Sequence, residues 1–227
     1  MTKIYLIRHC EAMGNVQRLF QGVTDTDISD IGAEQLEYLH RRFQDVHLDR
    51  IYSSPLLRAR KTAEAVARGK GLSVEILPGL IELDGGEVEN KPFRETFLAK
   101  PHLADIWTNH PEDFHPEGGE SMRHAYERIW EAVLFMAREN PNKTVAAALH
   151  GGVLRCLNCR LLKGDISFLK EMNWVDNTAV SLVEFDEDLN PTMQYYNDHS
   201  HLPEELIPKR SRFSMRDAAM EMQEEQQ

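Results

Sequence analysis

Arg8, His9, Cys10 and Glu11 follow directly on a short apolar run, Ile4-Tyr5-Leu6-Ile7. A strand apolar on both faces belongs inside a sheet that is covered on both sides. In open α/β sheets, ligands gather at the carboxyl ends of such strands. Arginine brings a fixed charge on a rigid fork of donors suited to phosphate. Histidine near neutral pH can act as a nucleophile or a proton carrier. A second run, Thr144–Leu149, ends in His150-Gly151-Gly152 ahead of an apolar helical pattern. The paired glycines let backbone approach a ligand, and the helix that follows points unpaired N–H groups back toward the strand end. If the two strands are neighbours in one parallel sheet, both imidazoles sit at one rim. A third segment, Ile51-Tyr52-Ser53-Ser54-Pro55-Leu56-Leu57-Arg58, reads as strand, N-cap serine, proline in the first turn, then helix. Arg58 falls in that first turn and can reach the same rim.

The elements that must position these groups alternate. The spacing predicts strands at 3–7, 50–53, 73–77 and 144–149, with helices at 29–43, 55–68, 121–140 and 152–161 between or after them. Ser29 and Ser121 stand where N-caps belong, and Leu36, Leu39 and Phe43 recur at helical spacing. Strand alternating with helix implies a parallel sheet with right-handed crossovers. Later strands at 179–185 and 192–196 read as an antiparallel hairpin at the sheet edge. From 79 to 119 periodicity fades and prolines recur, so this stretch reads as an inserted lid or wall carrying short helices such as 92–100. The fold expected is a three-layer α/β sandwich with a mostly parallel central sheet, helices on both faces and an antiparallel edge. One domain over 1–202 is expected, followed by a charged tail at 203–227, a surface helix with a frayed end.

At 227 residues the chain can bury a full core, and 41% hydrophobic with 28% charged residues is ordinary for a globular protein. No apolar run approaches the roughly 20 residues a membrane helix needs. The start of the chain has no secretory signal pattern, and three cysteines make no disulfide scaffold, so a cytoplasmic setting is expected. The net charge of −11 argues against nucleic acid as a partner, while a few arginines can still build a local anion site.

Six motifs in order resemble the histidine phosphatase superfamily, its phosphoglycerate-mutase-like branch. They are Leu6-Ile7-Arg8-His9-Cys10-Glu11 with Asn15, Gln21-Gly22-Val23-Thr24-Asp25 leading to Ile28-Ser29-Asp30-Ile31-Gly32, and Ser53-Ser54-Pro55-Leu56-Leu57-Arg58. Leu80-Ile81-Glu82-Leu83, Gly118-Gly119-Glu120-Ser121 and His150-Gly151-Gly152 complete the set, over roughly residues 1 to 185. The resemblance implies a phosphohistidine mechanism. His9 would be the nucleophile, with Arg8, Asn15, Arg58 and His150 holding the equatorial oxygens. Glu82 would protonate the leaving alkoxide and later deprotonate the attacking water. Gln21, Gly22 and Gly151 are further candidates for the pocket. No metal and no cofactor is called for, because fixed cations match the phosphoryl charge.

The implied activity is a metal-independent phosphomonoesterase acting on small soluble phosphate esters. A cofactor-dependent phosphoglycerate mutase is the alternative enzyme, but the Arg-His-Tyr-Gly step of such mutases is absent. A catalytically silent phospho-ligand-binding module is the other-class alternative, and it is expected to lose His9 or Glu82, which are both present. The exposed edge strand and charged tail leave a homodimer open.

Two positions depart from the resemblance. Cys10 replaces the usual glycine, which would strain a left-handed backbone there. Val88-Glu89-Asn90 replaces the usual aromatic-acidic-glycine step. Elsewhere, Asp198, His199 and His201 are a weak candidate metal set, Cys156 and Cys159 read as buried small hydrophobes, Arg60 and Lys61 as a solvated face, and Asp84 and Glu87 as substitutes for Glu82.

Overall fold

The computed structural model describes residues 1–207. Six strands form one sheet: β1 (Thr2–Arg8), β2 (Arg50–Ser53), β3 (Val74–Ile76), β4 (Thr144–Leu149), β5 (Val180–Phe185) and β6 (Pro191–Asp198). Their order is β3-β2-β4-β1-β5-β6. β1 pairs in parallel with β4, β4 with β2, and β2 with β3, while β5 and β6 add the antiparallel edge.

The apolar pattern explains the layers. Ile4 and Leu6 of β1, with Val145, Ala147 and Leu149 of β4, enter one cluster; Ile7, Ala146 and Ala148 enter the other. This period-two split of all-apolar strands requires cover on both faces. α2 (Asp30–Phe43) and α3 (Leu57–Ala67) cover the Ile7 face with Leu36, Leu39, Phe43, Ala59, Ala63 and Val66. α6 (Met122–Glu139) and α7 (Gly151–Lys163) cover the other with Tyr126, Ile129, Val133, Val153, Leu154 and Leu157. The sheet and its two helical layers are the expected three-layer sandwich.

The caps on α2 and α6 lie where the sequence places them: Ser29 accepts from the Gly32 N–H and Ser121 from the His124 N–H. α3 differs. Its N-cap is Leu56 rather than a serine, and no side chain on that residue caps it. The carboxylate of Asp25 instead accepts from the Leu57 N–H at 2.7 Å. A distant loop thus satisfies a helix-end donor that a local serine was expected to take.

Short helices α1 (Met13–Val16), α4 (Phe93–Ala99) and α5 (Pro101–Asn109) were the hardest to foresee, and only α4 was expected. The irregular stretch forms a packed wall. Phe20, Phe93, Phe97, Trp107 and Phe114 stack around one another, with Phe97 and Phe114 fully buried. Trp107 in turn stacks on Trp174 at 5.9 Å between centroids. Beyond β6, Leu202 and Leu206 are buried, and the Leu206 carbonyl accepts from Gln35 Nε2. The packed chain therefore runs past 202; the expected tail helix falls largely on residues 208–227, outside the described residues. Among the described residues, no helix is long and apolar enough to cross a membrane.

Candidate active site

In the β1–β4 ladder Arg8 is opposite Leu149, so His9 and His150 leave the sheet side by side. The His9 N–H donates to the Leu149 carbonyl at 2.9 Å, and the two imidazoles sit 5.2 Å apart, tilted by 55°. His9 is 4% exposed and His150 is fully buried.

The His9 ring has a defined tautomer. Its Nδ1 lies 2.6 Å from the Cys10 carbonyl oxygen. A carbonyl only accepts, so Nδ1 carries the proton and the lone pair is on Nε2. Burial first, then Arg58 and Arg8, hold the His9 pKa well below the ordinary imidazole value, against the opposing pull of the Cys10 carbonyl. The ring is therefore neutral near pH 7, the form a nucleophile needs. Cys10 is buried and is not among the residues with positive φ, so the strain that a left-handed cysteine would bring does not arise. Burial pushes its thiol up to about 12, and its N–H donates to Thr62 Oγ1.

Fixed cations flank this ring. The Arg58 side chain is fully buried, with Nη1 donating to the Thr24 carbonyl at 2.8 Å and Nη2 to the Gly22 carbonyl at 2.7 Å. Burial lowers its pKa to about 10, offset in part by Glu82, Asp25 and Glu89, and it stays charged. Arg8 Nη1 donates to the Val175 carbonyl. His150 Nε2 lies 2.6 Å from Ser54 Oγ, and a Ser54 hydroxyl donating there leaves Nδ1 as the N–H donor. Burial, then Arg58, His9 and Arg8, keep His150 neutral, with its pKa well below the usual value. Arg8 Nε, Arg58 Nε and His150 Nδ1 are all buried without a hydrogen-bond partner in the protein. Buried donors are nearly always paired, so three around one imidazole form a set that an oxyanion could satisfy.

Glu82 is 9% exposed and packs, from the loop after β3, against the first turn of α7. Its carboxylate accepts from the N–H groups of Gly152 at 2.7 Å, Val153 at 3.0 Å and Leu83 at 2.9 Å. A Cβ on Gly152 would stand 2.7 Å from Glu82 Oε1, so the second glycine of the pair makes room for that carboxylate. A Cβ on Gly151 would press on the Arg8 guanidinium at 3.2 Å and on Trp174. Asn15 accepts from the Ala12 N–H through Oδ1, leaving its amide nitrogen as the donor end. Gln21 has both amide atoms buried without a partner, packed against Gly14, and Gly22 lies beneath the Leu83 carbonyl.

Other candidates are accounted for elsewhere. Asp84 accepts from the Gly86 N–H, Glu87 pairs with Lys100, and Glu11 accepts from the Ser29 hydroxyl at the cap of α2. Lys61, expected on a solvated face, pairs with Asp27 at 2.5 Å. His199 faces Asp176 and His201 accepts from Arg42; among the described residues no set of three or more ligating side chains could hold a metal ion. Cys156 and Cys159 are buried in α7 as expected.

Sequence reasoning missed the supports. Asn177 Nδ2 donates to the His9 carbonyl at 2.9 Å, the Thr178 N–H donates to the Arg8 carbonyl, and Val175 holds the Arg8 side chain. Segment 175–178 thus grips the end of β1 from the side opposite β4. Its only sequence signal is a polar Asp-Asn-Thr step just before a mostly apolar strand. Ser54, expected as a helix cap, accepts from the Leu56 N–H only at 3.4 Å and lies closer, at 2.6 Å, to His150 Nε2.

Residues 4–199 match the histidine phosphatase superfamily (branch 1). Phosphoserine phosphatase 1 of Hydrogenobacter thermophilus is 31% identical over 204 residues, covering 90% of this chain and 96% of that protein. Among solved structures, YhfR of Bacillus stearothermophilus superimposes with a TM-score of 0.84 at 29% identity, over 88% of this chain and 99% of that one. Phosphoserine phosphatase of Entamoeba histolytica, solved in complex with phosphoserine, gives 0.79 at 25% identity, over 89% and 100%. The chain belongs to the histidine phosphatase superfamily. It is a phosphatase with the phosphoglycerate-mutase-like fold.

Proposed function

We propose that the protein hydrolyses small soluble phosphate monoesters, without a metal or other cofactor, through a phosphohistidine on Nε2 of His9. The observation that carries this reading is the trio of buried, unpartnered donors on Arg8, Arg58 and His150 around an imidazole whose lone pair is on Nε2. In the first step Nε2 attacks phosphorus in line, the phosphorus–oxygen ester bond breaks, and Glu82 gives its proton to the departing alkoxide. In the second, Glu82 takes a proton from water as the water oxygen attacks phosphorus; the nitrogen–phosphorus bond breaks and inorganic phosphate leaves. Arg8, Arg58, Asn15 and His150 hold the equatorial oxygens, and their two fixed charges stand in for a divalent ion.

The relatives' names point to phosphoserine, and small hydroxy-acid phosphates of this kind are the first substrates to test. A cytoplasmic setting belongs to the same reading, supported by the three buried free thiols. The test is a panel of phosphate esters assayed after prolonged chelation and dialysis. Turnover of at least one small alkyl phosphate at an undiminished rate is expected. A rate that collapses on chelation and returns only with added metal would overturn the metal-free mechanism.

A further inference from the structure

Glu89 touches none of the groups proposed to meet phosphate, yet its carboxylate joins two loops beside them. Oε1 accepts from the Gly22 N–H at 3.0 Å and the Thr24 N–H at 2.8 Å, while Oε2 accepts from the Gly85 N–H at 2.9 Å. Both glycines are needed for this approach: a Cβ on Gly22 would stand 2.6 Å from Glu89 Oε2, and one on Gly85 2.7 Å from it. The carbonyls of the same two residues, Gly22 and Thr24, accept from the two Nη atoms of Arg58. The backbone of the same two residues thus has its N–H groups fixed by Glu89 and its carbonyls engaged by Arg58. We propose that Glu89 is a positioning residue that aims the Arg58 guanidinium at the transferring phosphoryl group through the backbone of Gly22 and Thr24.

The physical argument is one of geometry and charge. Arg58 is fully buried, and both Nη groups are engaged with loop carbonyls, so its Nε direction follows that loop. A loop held only through those two carbonyls could turn about the backbone dihedrals of Gly22 and Thr24 and carry the guanidinium with it. The carboxylate removes that freedom, because three N–H donors converge on one planar group whose charge makes each bond stronger than a neutral one. Glu89 also adds negative potential that favours the charged form of the buried Arg58. Glutamine at 89 keeps the length but offers one acceptor oxygen for donors that occupy two.

This inference rests on Arg58 being a phosphate-binding group, so the experiment measures both. Inorganic vanadate, a mimic of the transferring phosphoryl group, is titrated into wild type, Glu89→Gln, Arg58→Met and the double variant. Arg58→Met should weaken vanadate binding strongly. Glu89→Gln should weaken it about tenfold in the wild-type background, as expected for a misaimed charge. In the Arg58→Met background the same substitution should change it less than about twofold, because the group through which it acts is gone. A normal affinity in Arg58→Met would overturn the assignment of Arg58 and this inference with it. A strong effect of Arg58→Met beside a Glu89→Gln loss that is absent, or equal in both backgrounds, would overturn the positioning role alone. Should Glu89→Gln fail to fold, amide hydrogen exchange on Arg58→Met decides. Gly22 and Thr24 should lose protection there, and unchanged protection at both would refute the coupling.

Discussion

The neighbours of His9, rather than its own intrinsic pKa, prepare its ring for the nucleophilic role proposed for it. The Cys10 carbonyl selects the tautomer, while burial, Arg58 and Arg8 keep the ring neutral. The acid limb of kcat/KM should therefore lie below pH 6.5, the ordinary imidazole value. Arg58→Met removes one cause of the depression and should move that limb upward, alongside its loss of rate; a wild-type limb above pH 6.5 would contradict this account. For Glu82 the expected signature is selectivity among leaving groups. Glu82→Gln should slow alkyl phosphates by about 100-fold or more but affect aryl phosphates with acidic leaving groups far less in single-turnover phosphorylation, since a general acid matters in proportion to leaving-group basicity. Equal losses on both would make Glu82 a shaping residue. Arg8, His9, Arg58 and His150 could be placed at one rim because each follows or opens a strongly patterned element, whereas Glu82, in an unpatterned stretch, was reached only through the family resemblance. Asn177, Ser54 and Glu89 were not legible, because their roles consist of bonds to groups far away in sequence.

At the scale of elements, local chemistry decided what could be read. α2 and α6 carry their own serine caps and apolar stripes, so their starts are visible in the chain. The start of α3 was misplaced because its cap comes from Asp25, 32 residues before Leu57. The wall over 79–119 lacked periodicity because its order comes from aromatic stacking with Phe20 and Trp174, which flank it at a distance. The turn from β4 into α7 is the element most exposed to a small change. Gly152→Ala places a methyl group 2.7 Å from Glu82 Oε1, so it should displace the acid and reproduce the Glu82→Gln selectivity pattern. Ser121→Ala, at the cap of α6, should instead cost about 1 kcal/mol in stability with kcat/KM unchanged. Denaturant titration beside the two-substrate assay separates these outcomes; a Gly152→Ala enzyme with wild-type rates on alkyl phosphates would show that Glu82 needs no such clearance.

Over the whole molecule, an acidic chain gathers Arg8 and Arg58 about His9, and its stability should record a half-buried histidine outside that group. Burial, then Arg42, push His201 down to about 4, and its Nδ1 accepts from Arg42. Histidines with a depressed folded pKa contribute stability that is complete above the unfolded value of about 6.5 and is lost as pH falls toward the folded value. Urea midpoints should therefore drop between about pH 6.5 and about pH 4, and His201→Gln should flatten that slope; identical slopes in both proteins would contradict the half-buried neutral ring. The central claim remains the covalent step on one nitrogen of one residue. Rapid quenching of the enzyme during turnover of a labelled phosphate ester, followed by alkaline digestion and phosphorus NMR, tests it most directly. The account predicts acid-labile, base-stable phosphate on Nε2 of His9, formed at least as fast as turnover and absent from His9→Ala, which should retain less than about 0.1% of the rate. Phosphate on another residue, or full turnover with no phosphoenzyme formed at a competent rate, would contradict it.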